Sequence, residues 1–592
     1  MSSWNGRGRN ASWNRAAPWQ KRGSATDCER LRTTRWLRLR IAGVLLTVFF
    51  IWAGLDAMPC LSGETAPEVA FSQSASRIAT FDFVEVTAAV KSPPVQNPFT
   101  ETSFAGDFGS AGSGDKVAVA GFCDSADGSV FRIRFMPSKA GDFTFHVVLK
   151  IGGAERTFEG EFTAVDEHRN GPIRDDPAYP WSFIWQGTGE HYFFNGTTAY
   201  WLMGWRDEHT IDYSIDRLAR LKVNRLRVTL AGRTNTFYGE PVMNGDRWSV
   251  NIEPWPAKDI RDYSHPGFDY SRFNVSYWQK FERMLRFARE KNMIISVVLG
   301  MNDEHDHPAP GSEDEHRYLR YAVARLGAFS NITWDLGDDL DSFRNEEWTH
   351  TTGTLIEQLD PYHHLATSHP VKTIHQDRAS SWFGFTSYQD WSRDQHALML
   401  ESRKLQEKAG RVIPQTNEEY GYEDHYPEWA AAGSDSADVL RRTAWAIYMA
   451  GGFQTAGESA RRGTNIWPDT GGGWMNGRGD DTQTMFASYR HIVDFFASFA
   501  WWKANPHDEL VNTGNWCLAE PGSVYAIYLP HGGKLTVELS PGTYRGVWFN
   551  ASSGQWIPVA ETMSGSTWSS AGPPEDTGWP GVQDWALLLK RQ

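Results

Sequence analysis

The chain has 592 residues and a formal net charge of −14 at pH 7; it is too long for one hydrophobic core, and its acidic balance argues against a nucleic-acid partner. Its 28 Trp, 20 Tyr and 33 Phe make it rich in aromatic rings, which fill protein cores and also stack on sugar rings. The cysteines show no zinc-binding spacing, so we predict no metal and no other cofactor.

Residues 1–60 combine a polar, Arg-rich leader with an uncharged apolar run from Ile41 to Leu55. The run is short for a membrane-spanning helix and typical of the hydrophobic region of a signal peptide, with its positive charges on the cytoplasmic side. We therefore expect an exported protein, which is periplasmic, extracellular or anchored facing outward, with any membrane attachment through residues 41–57. The small, polar residues 61–80 are predicted as a linker.

Residues 81–168 show the two-residue alternation of β-strands. Short runs such as Phe81-Asp-Phe-Val-Glu-Val-Thr87 and Asp142-Phe-Thr-Phe-His-Val-Val-Leu149 are separated by turns rich in Gly, Asp and Ser. Strands of this length and spacing are typical of small all-β domains. We predict an immunoglobulin-like β-sandwich.

Between residues 187 and 500 the periodicity changes to strands that alternate with helices. This alternation, over a span typical of one barrel, predicts a (β/α)8 TIM barrel. A doubly wound sheet is the alternative, but no glycine-rich phosphate loop follows the first strand. The predicted strands are 194–203, 225–230, 293–300, 332–336, 364–368, 383–387, 412–416 and 452–457. The predicted helices are 211–223, 278–291, 317–329, 351–359, 395–409, 438–449 and 484–498.

After Pro506 the two-residue alternation returns, for example in Ser523-Val-Tyr-Ala-Ile-Tyr-Leu529. The pattern predicts a second small β-sandwich over residues 506–592. The expected fold is therefore a multidomain chain with a central TIM barrel flanked by two β-sandwiches.

Adjacent carboxylates end two of the predicted barrel strands. Asp338 and Asp339 follow the fourth strand, and Glu418 and Glu419 follow the seventh. Such barrels keep their chemistry at the carboxyl ends of their strands, where these side chains would meet. Glycoside hydrolysis needs two carboxylates across one cleft, about 5–5.5 Å apart for retention and about 6.5–9.5 Å apart for inversion. One member of each pair could instead be a loop or helix-capping acid.

Further residues at predicted strand ends could complete such a site. An inward Arg227 could hold the charge of a nucleophile, although pairing within the barrel core explains it nearly as well. His369 and Tyr388 end the fifth and sixth strands. The run 302–307 is polar, but its spacing fits no standard metal motif, so we favour a substrate loop. Candidate sugar-stacking rings, each equally explained by loop packing, are Trp205, Trp248, Trp382, Trp391 and Trp467.

Four segments together resemble the apiosidase-like family of glycoside hydrolases. They are Asn195-Gly-Thr-Thr-Ala-Tyr-Trp201, Asn331-Ile-Thr-Trp-Asp-Leu-Gly337, Glu419-Tyr-Gly-Tyr-Glu423 and Trp445-Ala-Ile-Tyr-Met-Ala-Gly-Gly-Phe453. The resemblance, over roughly residues 80–592, implies an N-terminal immunoglobulin-like domain, a (β/α)8 barrel and a C-terminal β-domain described as collagen-binding.

By the same resemblance, Asp339 falls at the position of the acid/base and Glu419 at that of the nucleophile. Barrels of this kind commonly end strand four in Asn-Glu, whereas this chain has Asp338-Asp339. Aspartate is one methylene shorter, which changes the reach of the acid.

We therefore predict an exported glycoside hydrolase that acts on a poly- or oligosaccharide, with a retaining two-carboxylate mechanism. A non-catalytic carbohydrate-binding or adhesion protein is one alternative, and a polysaccharide lyase with a Tyr or His base is another.

Overall fold

The computed structural model describes residues 67–232, 248–249, 251–262, 265–301, 307–371, 379–423, 434–457, 485–574 and 583–592. All of them belong to one unit, Thr65–Gln592. The predicted signal or anchor segment, Trp467 and residues 302–306 lie outside the described residues. In the described part of the chain, no helix combines the length and the apolarity that crossing a bilayer requires.

Two sheets form the N-terminal region, and their inward side chains share one apolar core. Val86, Phe108, Ile133 and Val147 are fully buried in it, as strand alternation requires. The first sheet has the order β1-β3-β7-β6 and the second has the order β2-β9-β8-β4-β5. The strands are β1 Glu68–Gln73, β2 Arg77–Ala79, β3 Val84–Lys91, β4 Ser103–Ser110, β5 Val117–Ala120, β6 Phe122–Cys123, β7 Val130–Phe135, β8 Gly141–Ile151 and β9 Ala154–Val165.

The segment predicted as a linker therefore contributes two strands to these sheets. Strand β1 pairs antiparallel with β3, and β2 pairs parallel with β9. Strand β1 lies at the edge of its sheet, and one of its faces remains exposed. Exposed positions of this kind carry small and polar residues, which is also the composition of a linker, so composition alone predicts a linker here. The immunoglobulin-like classification of the region stays a prediction.

Buried ion pairs connect the N-terminal sheets to the helices of the central barrel. Arg134 on β7 donates to both carboxylate oxygens of Glu282, each at 2.9 Å, and to Glu85 at 2.8 Å. Arg325 donates to Asp124 at 2.5 Å. Because each of these charges has an opposite charge as partner, their burial between the two regions does not leave an uncompensated ion.

Eight parallel strands form the central sheet, in the order β17-β16-β15-β14-β13-β22-β19-β18. The ladder is nearly closed, since β17 and β18 approach each other through an isolated Ala366–Phe383 bridge and through the hydroxyl of Thr367, which donates to the carbonyl of Phe385 at 2.7 Å. The predicted TIM-barrel architecture is confirmed. Its strands are β13 Asn195–Thr198, β14 Arg225–Thr229, β15 Ile294–Val298, β16 Ile332–Asp335, β17 Ala366–Thr367, β18 Thr386–Gln389, β19 Gln415–Glu419 and β22 Phe453–Ala456.

Helices follow the barrel strands, and most begin at a side chain that caps the first turn. Ser312, for example, accepts a hydrogen bond from the backbone N–H of Glu315, and Asn345 accepts one from Trp348. The predicted helix 395–409 coincides with the observed one. The helices are α1 Glu208–Arg220, α2 Val275–Glu290, α3 Glu313–Leu326, α4 Glu346–Leu359, α5 Gln395–Ala409, α6 Ala437–Met449 and α7 Met485–Phe496.

Two barrel strands differ from their predicted bounds in ways that matter for the site. The first strand ends at Thr198, and the chain then turns through a 3-10 helix, Leu202–Gly204, so Tyr200 stands at the barrel mouth. The seventh strand was predicted at 412–416 but spans Gln415–Glu419, since Pro414 cannot donate to a strand ladder. Glu418 and Glu419 therefore lie inside the strand rather than beyond it.

The C-terminal region has one larger sheet, in the order β23-β24-β25-β31-β27-β28 with β29 paired to β27, and a two-stranded sheet of β26 and β30. It packs on the barrel through Trp445, which stacks on Tyr528 with 4.7 Å between ring centroids. Its classification as a sandwich stays a prediction. The strands are β23 Asn505–Pro506, β24 Trp516–Glu520, β25 Val524–Leu529, β26 Leu535–Glu538, β27 Thr543–Asn550, β28 Trp556–Pro558, β29 Met563–Ser564, β30 Thr567–Ser570 and β31 Trp585–Arg591.

Among the described residues, five further short strands lie beside the barrel. Three of them form an antiparallel sheet just before its first strand, and the other two-stranded pair follows the seventh. They are β10 Ile173–Asp175, β11 Phe183–Trp185 and β12 His191–Tyr192, and the pair β20 Tyr422–Glu423 and β21 Ser434–Asp435.

Candidate active site

Two arginines of β14 fill the interior of the barrel with positive charge. Arg225 donates from Nε to Glu418 at 2.9 Å. Arg227 donates from Nε and Nη2 to one oxygen of Asp335, at 3.1 and 2.8 Å. All four side chains are fully buried. Because residues 225 and 227 are two positions apart on a strand, they point to the same side, and Arg227 lies one layer nearer the mouth.

Above this layer, the hydroxyl of Tyr200 joins the carboxyl groups of strands four and seven. Its oxygen lies 2.8 Å from Oδ1 of Asp338 and 2.9 Å from Oε2 of Glu419. Arg227 donates from Nη1 to the same hydroxyl at 2.7 Å and lies 3.1 Å from Oδ1 of Asp338. Tyr200 and Arg227 thus bring together one carboxyl group from each of the two predicted pairs, Asp338 after strand four and Glu419 on strand seven.

The second oxygen of Glu419 is held by donors of its own. Oε1 accepts from the hydroxyl of Tyr422 at 2.7 Å and from the side-chain amide of Gln389 at 3.2 Å. The β18 and β19 ladder shifts register at this point, so that Gln389 pairs with Glu419. The irregularity directs Glu419 into the mouth, whereas Glu418 remains in the barrel interior.

His369, after the fifth strand, closes the cluster from the side. Its Nε2 lies 3.6 Å from Asp338 Oδ1 and 3.8 Å from Glu419 Oε2, beyond hydrogen-bonding distance. Its Nδ1 is 2.9 Å from the hydroxyl of Ser387. Burial, and then the charge of Arg227, lower the pKa of His369 well below its usual range, so the imidazole is neutral at pH 7.

Burial dominates the electrostatics of the two facing carboxyl groups. It raises the pKa of Asp338, and the neighbouring charge of Asp339 adds to this while Arg227 opposes it. Burial also raises the pKa of Glu419, and the charges of Asp338 and Asp339 raise it further. By contrast, Arg225 and Arg227 outweigh burial at Glu418 and lower its pKa. The upper pair can therefore hold a proton at a pH at which Glu418 is ionised.

Asp339 directly follows Asp338 in the turn after strand four and adopts a left-handed backbone conformation, with φ of 50°. A non-glycine residue pays a conformational cost there, and such strain is concentrated at functional positions. Asp339 is half-buried, whereas Asp338 is buried. It is thus the strand-four carboxylate that is more accessible from outside, and its charge reaches both members of the buried pair.

A metal ion was not expected, and the cluster is the place to consider one. Ligand atoms of Asp338, His369 and Glu419 all lie within 4.8 Å of one another. However, the guanidinium of Arg227 already contacts Asp338, and its fixed positive charge opposes a divalent cation at the same oxygen. We assign no metal ligand among these residues.

Several residues predicted for the site lie elsewhere. The hydroxyl of Tyr388 pairs with Ser402 on helix α5, so it points out of the barrel. Trp205 is fully buried and forms a backbone bridge with Trp248. Trp382 is buried against Gly353 of helix α4. These two rings are packing residues rather than sugar-stacking ones.

Other predicted residues do meet at the mouth. Arg227 contacts Asp338, and His369 faces both Asp338 and Glu419. Trp391 packs on Tyr422 with 5.3 Å between ring centroids. Glu418 is in the barrel interior, paired with Arg225. Trp467 lies outside the described residues.

Three contributors were not predicted: Tyr200, Tyr422 and Gln389. Tyr200 and Tyr422 belong to segments that carry the family resemblance, which was the available signal. Gln389 had no such signal, because its position depends on the register shift between β18 and β19.

Comparison with known proteins supports the barrel assignment. Residues 182–458 match the family model described as "Apiosidase-like, catalytic domain", and residues 77–150 match DUF5060, a domain of unknown function. No curated protein matches the sequence significantly.

Solved structures from Bacteroides vulgatus ATCC 8482 share the fold. One, described as a candidate glycoside hydrolase, has 16% identity and a TM-score of 0.71, with 88% of this chain and 100% of that chain covered. Another, described as a glycoside hydrolase of family 5, has 16% identity and a TM-score of 0.56, with 72% of this chain and 93% of that chain covered. The family resemblance predicted from the sequence motifs is confirmed, since the barrel of this chain is similar to the apiosidase-like catalytic domain over residues 182–458.

Proposed function

We propose that the protein is an exported, retaining glycoside hydrolase that acts on a poly- or oligosaccharide. The observation that carries the proposal is the approach of strand-four and strand-seven carboxyl groups at the barrel mouth, where Asp338 and Glu419 oxygens lie within 4.8 Å. The proposed acid/base, Asp339, directly follows Asp338, and its charge acts on Glu419. We propose retention, in which a carboxylate attacks directly, because an inverting enzyme needs a wider gap between its two catalytic carboxyl groups for a water.

In this mechanism Glu419 is the nucleophile. Tyr422 and Gln389 hold Oε1 and thereby fix the orientation of the carboxylate, while Oε2 faces the partner carboxyl group. Oε2 attacks the anomeric carbon, the glycosidic C–O bond breaks, and a glycosyl-enzyme ester forms. Water then cleaves the ester and restores the free carboxylate.

Asp339 is the acid/base of the proposal. It donates a proton to the leaving oxygen in the first step and takes one from the attacking water in the second. Its partial exposure lets a substrate oxygen approach it. Asp338 is less suited to this role, since its Oδ1 is already engaged by Tyr200 and Arg227.

The competing functions receive less support. Elimination by a lyase would need a tyrosine or histidine base, but burial raises the pKa of Tyr200 well above its usual range. A lyase would also leave the proximity of the two carboxyl groups without a role. A purely binding protein would have no use for a carboxyl group held by two donors and facing a second one.

The products of purified protein on a panel of plant, algal and microbial polysaccharides test the proposal. We expect new saturated reducing ends. Products with an unsaturated ring, which absorbs in the near ultraviolet, would show a lyase. Tight binding without any product on every polysaccharide that is bound would show an adhesion or binding protein.

Export is part of the proposal and rests on the Arg-rich leader and the apolar run after it. Deletion of residues 35–57 should leave folded, soluble protein in the cytoplasm of an expressing cell, with the full-length chain as control. Cell fractionation and circular dichroism measure this. Loss of folding in the deleted form would mean that the segment belongs to the core.

A further inference from the structure

The hydroxyl of Tyr200 has more partners than its own proton can satisfy. Arg227 Nη1, Asp338 Oδ1 and Glu419 Oε2 lie 2.7, 2.8 and 2.9 Å from the hydroxyl oxygen. The guanidinium can only donate, and the hydroxyl has one proton to give. It can therefore donate to one of the two carboxyl groups. The other O···O contact needs a proton on that carboxyl group, because two lone pairs at this distance repel each other.

Among the residues that the structure describes, we find no other neighbour that supplies the missing proton. His369 Nε2 is too far from both oxygens to donate, at 3.6 and 3.8 Å. The hydroxyl of Ser387 donates to Glu418, so it accepts from the Nδ1–H of His369 and leaves a lone pair on Nε2. A lone pair directed at two ionised carboxylates would be unfavourable, and a proton on one of them reduces that repulsion.

In the described part of the chain, charged, titratable and polar groups of the surrounding strands and loops face the pair. Arg227 opposes a proton on the pair, whereas Asp339 and burial favour one. Arg227 also pairs with the carboxylates of Asp335 and Glu418 in the barrel interior. These pairings weaken the attraction of its positive charge for Asp338 and Glu419. The facing groups are Tyr200 after β13, Arg227 on β14, Asp335 on β16 and Asp339 after it, His369 after β17, Gln389 on β18, Glu418 on β19 and Tyr422 on β20.

Building on the proposed role of Glu419, we propose that Asp338 and Glu419 share one proton at neutral pH and exchange it through the hydroxyl of Tyr200. In one arrangement, Glu419 Oε2–H donates to Tyr200, whose hydroxyl donates to ionised Asp338. Transfer of the first proton to the Tyr200 oxygen and of the hydroxyl proton to Asp338 Oδ1 gives protonated Asp338 and ionised Glu419. One O–H bond breaks and one forms at each step, and no proton enters from solvent.

Asp338 is then a positioning residue that stores the proton of the nucleophile. The exchange leaves Glu419 ionised, so that it can attack, and the total charge of the pair in the buried site does not change. It also explains why two acids can occupy one low-dielectric cluster, since the pair carries one negative charge rather than two.

Infrared difference spectroscopy at pH 7 detects the proton directly. This pH is about three units above the pKa of an exposed carboxyl group, so a protonated carboxyl band reports a perturbed site. We expect a C=O band in the wild type that Asp338→Asn and Glu419→Gln each remove. Tyr200→Phe should retain the band at a shifted frequency, because the proton loses its bridging oxygen. Asp390→Asn, which changes a half-buried carboxylate on the same side of the barrel, should leave it unchanged.

Circular dichroism verifies that each variant is folded. Asp339 holds a proton of its own in the proposed mechanism, so the band of the pair is the one that remains in Asp339→Asn. The proposal is overturned if Asp339→Asn shows no protonated carboxyl band, or if the band that remains there survives the further change Asp338→Asn or Glu419→Gln. The spectrum needs no substrate, so the two proposals fail separately. Glycosidase activity without a band that both Asp338→Asn and Glu419→Gln remove rejects the shared proton alone. Such a band without hydrolysis of any substrate rejects the proposed function alone.

Discussion

Replacement of Glu419 by Gln is expected to lower turnover on the order of 10⁴-fold. Glutamine keeps the shape of the side chain, and its amide oxygen can still accept from Tyr422. It lacks the negative charge that attacks the anomeric carbon and stabilises the oxocarbenium-like transition state. Initial rates with a substrate from the polysaccharide panel measure the loss.

Glu418→Gln is the matched control, because the two glutamates are adjacent in one strand. Glu418 pairs with Arg225 in the barrel interior, and its loss should lower the unfolding temperature more than it changes turnover per folded molecule. Should Glu418→Gln abolish activity while Glu419→Gln retains it, the assignment of roles on strand seven would be reversed.

Asp339→Asn is expected to show a loss that depends on the leaving group. General acid catalysis contributes about 10²–10⁴-fold, and that is the expected fall for natural glycosides with poor leaving groups. Aryl glycosides with acidic phenols need little protonation, so their first step should be nearly normal. Rates for a series of leaving groups of graded pKa measure this dependence.

Azide separates the acid/base role from general damage to the site. A small anion can attack an accumulated glycosyl-enzyme without base assistance, so azide should restore turnover of Asp339→Asn on activated substrates and yield a glycosyl azide. Asp341→Asn in the same turn, where the exposed side chain accepts from the backbone of Val371, should behave like the wild type. If Asp338→Asn shows the leaving-group dependence and azide rescue instead, Asp338 is the acid/base.

The architecture could be predicted from the sequence because the alternation of strands and helices is a local signal. Helix 395–409 was predicted at its observed bounds, since its amphipathic pattern ends at a glycine with φ of 75°. Strand seven was displaced by three residues because the apolar run around Pro414 has the composition of a strand but lacks a donor.

The site could be predicted only in outline. Acidic residues at strand ends indicate where carboxyl groups meet, and Asp338, Glu419 and Arg227 do meet. Which of two adjacent acids enters the mouth depends on the shift between β18 and β19, a property of strand pairing that one sequence does not display.

The aromatic residues show the same limit. Trp205, Trp382 and Tyr388 carry the side chains that sugar sites use, yet each packs within the fold. Composition cannot separate the two uses, because a ring is equally favourable in a core and on a sugar. Tyr200 lies in a segment predicted as a strand, where the alternation indicates that a tyrosine packs in the core. Its place in the site therefore could not be predicted.

Trapping of the glycosyl-enzyme tests the central claim most directly. A 2-fluoro analogue of a confirmed substrate destabilises the oxocarbenium-like transition state and slows both steps, and an activated leaving group lets the first proceed faster than the second. Peptide mass spectrometry should then find one sugar per chain, and fragmentation should place it on Glu419. The account would be contradicted if the sugar were found on Glu418 or on another residue. It would also be contradicted if the enzyme hydrolysed the analogue with inversion at the anomeric carbon and without being inactivated.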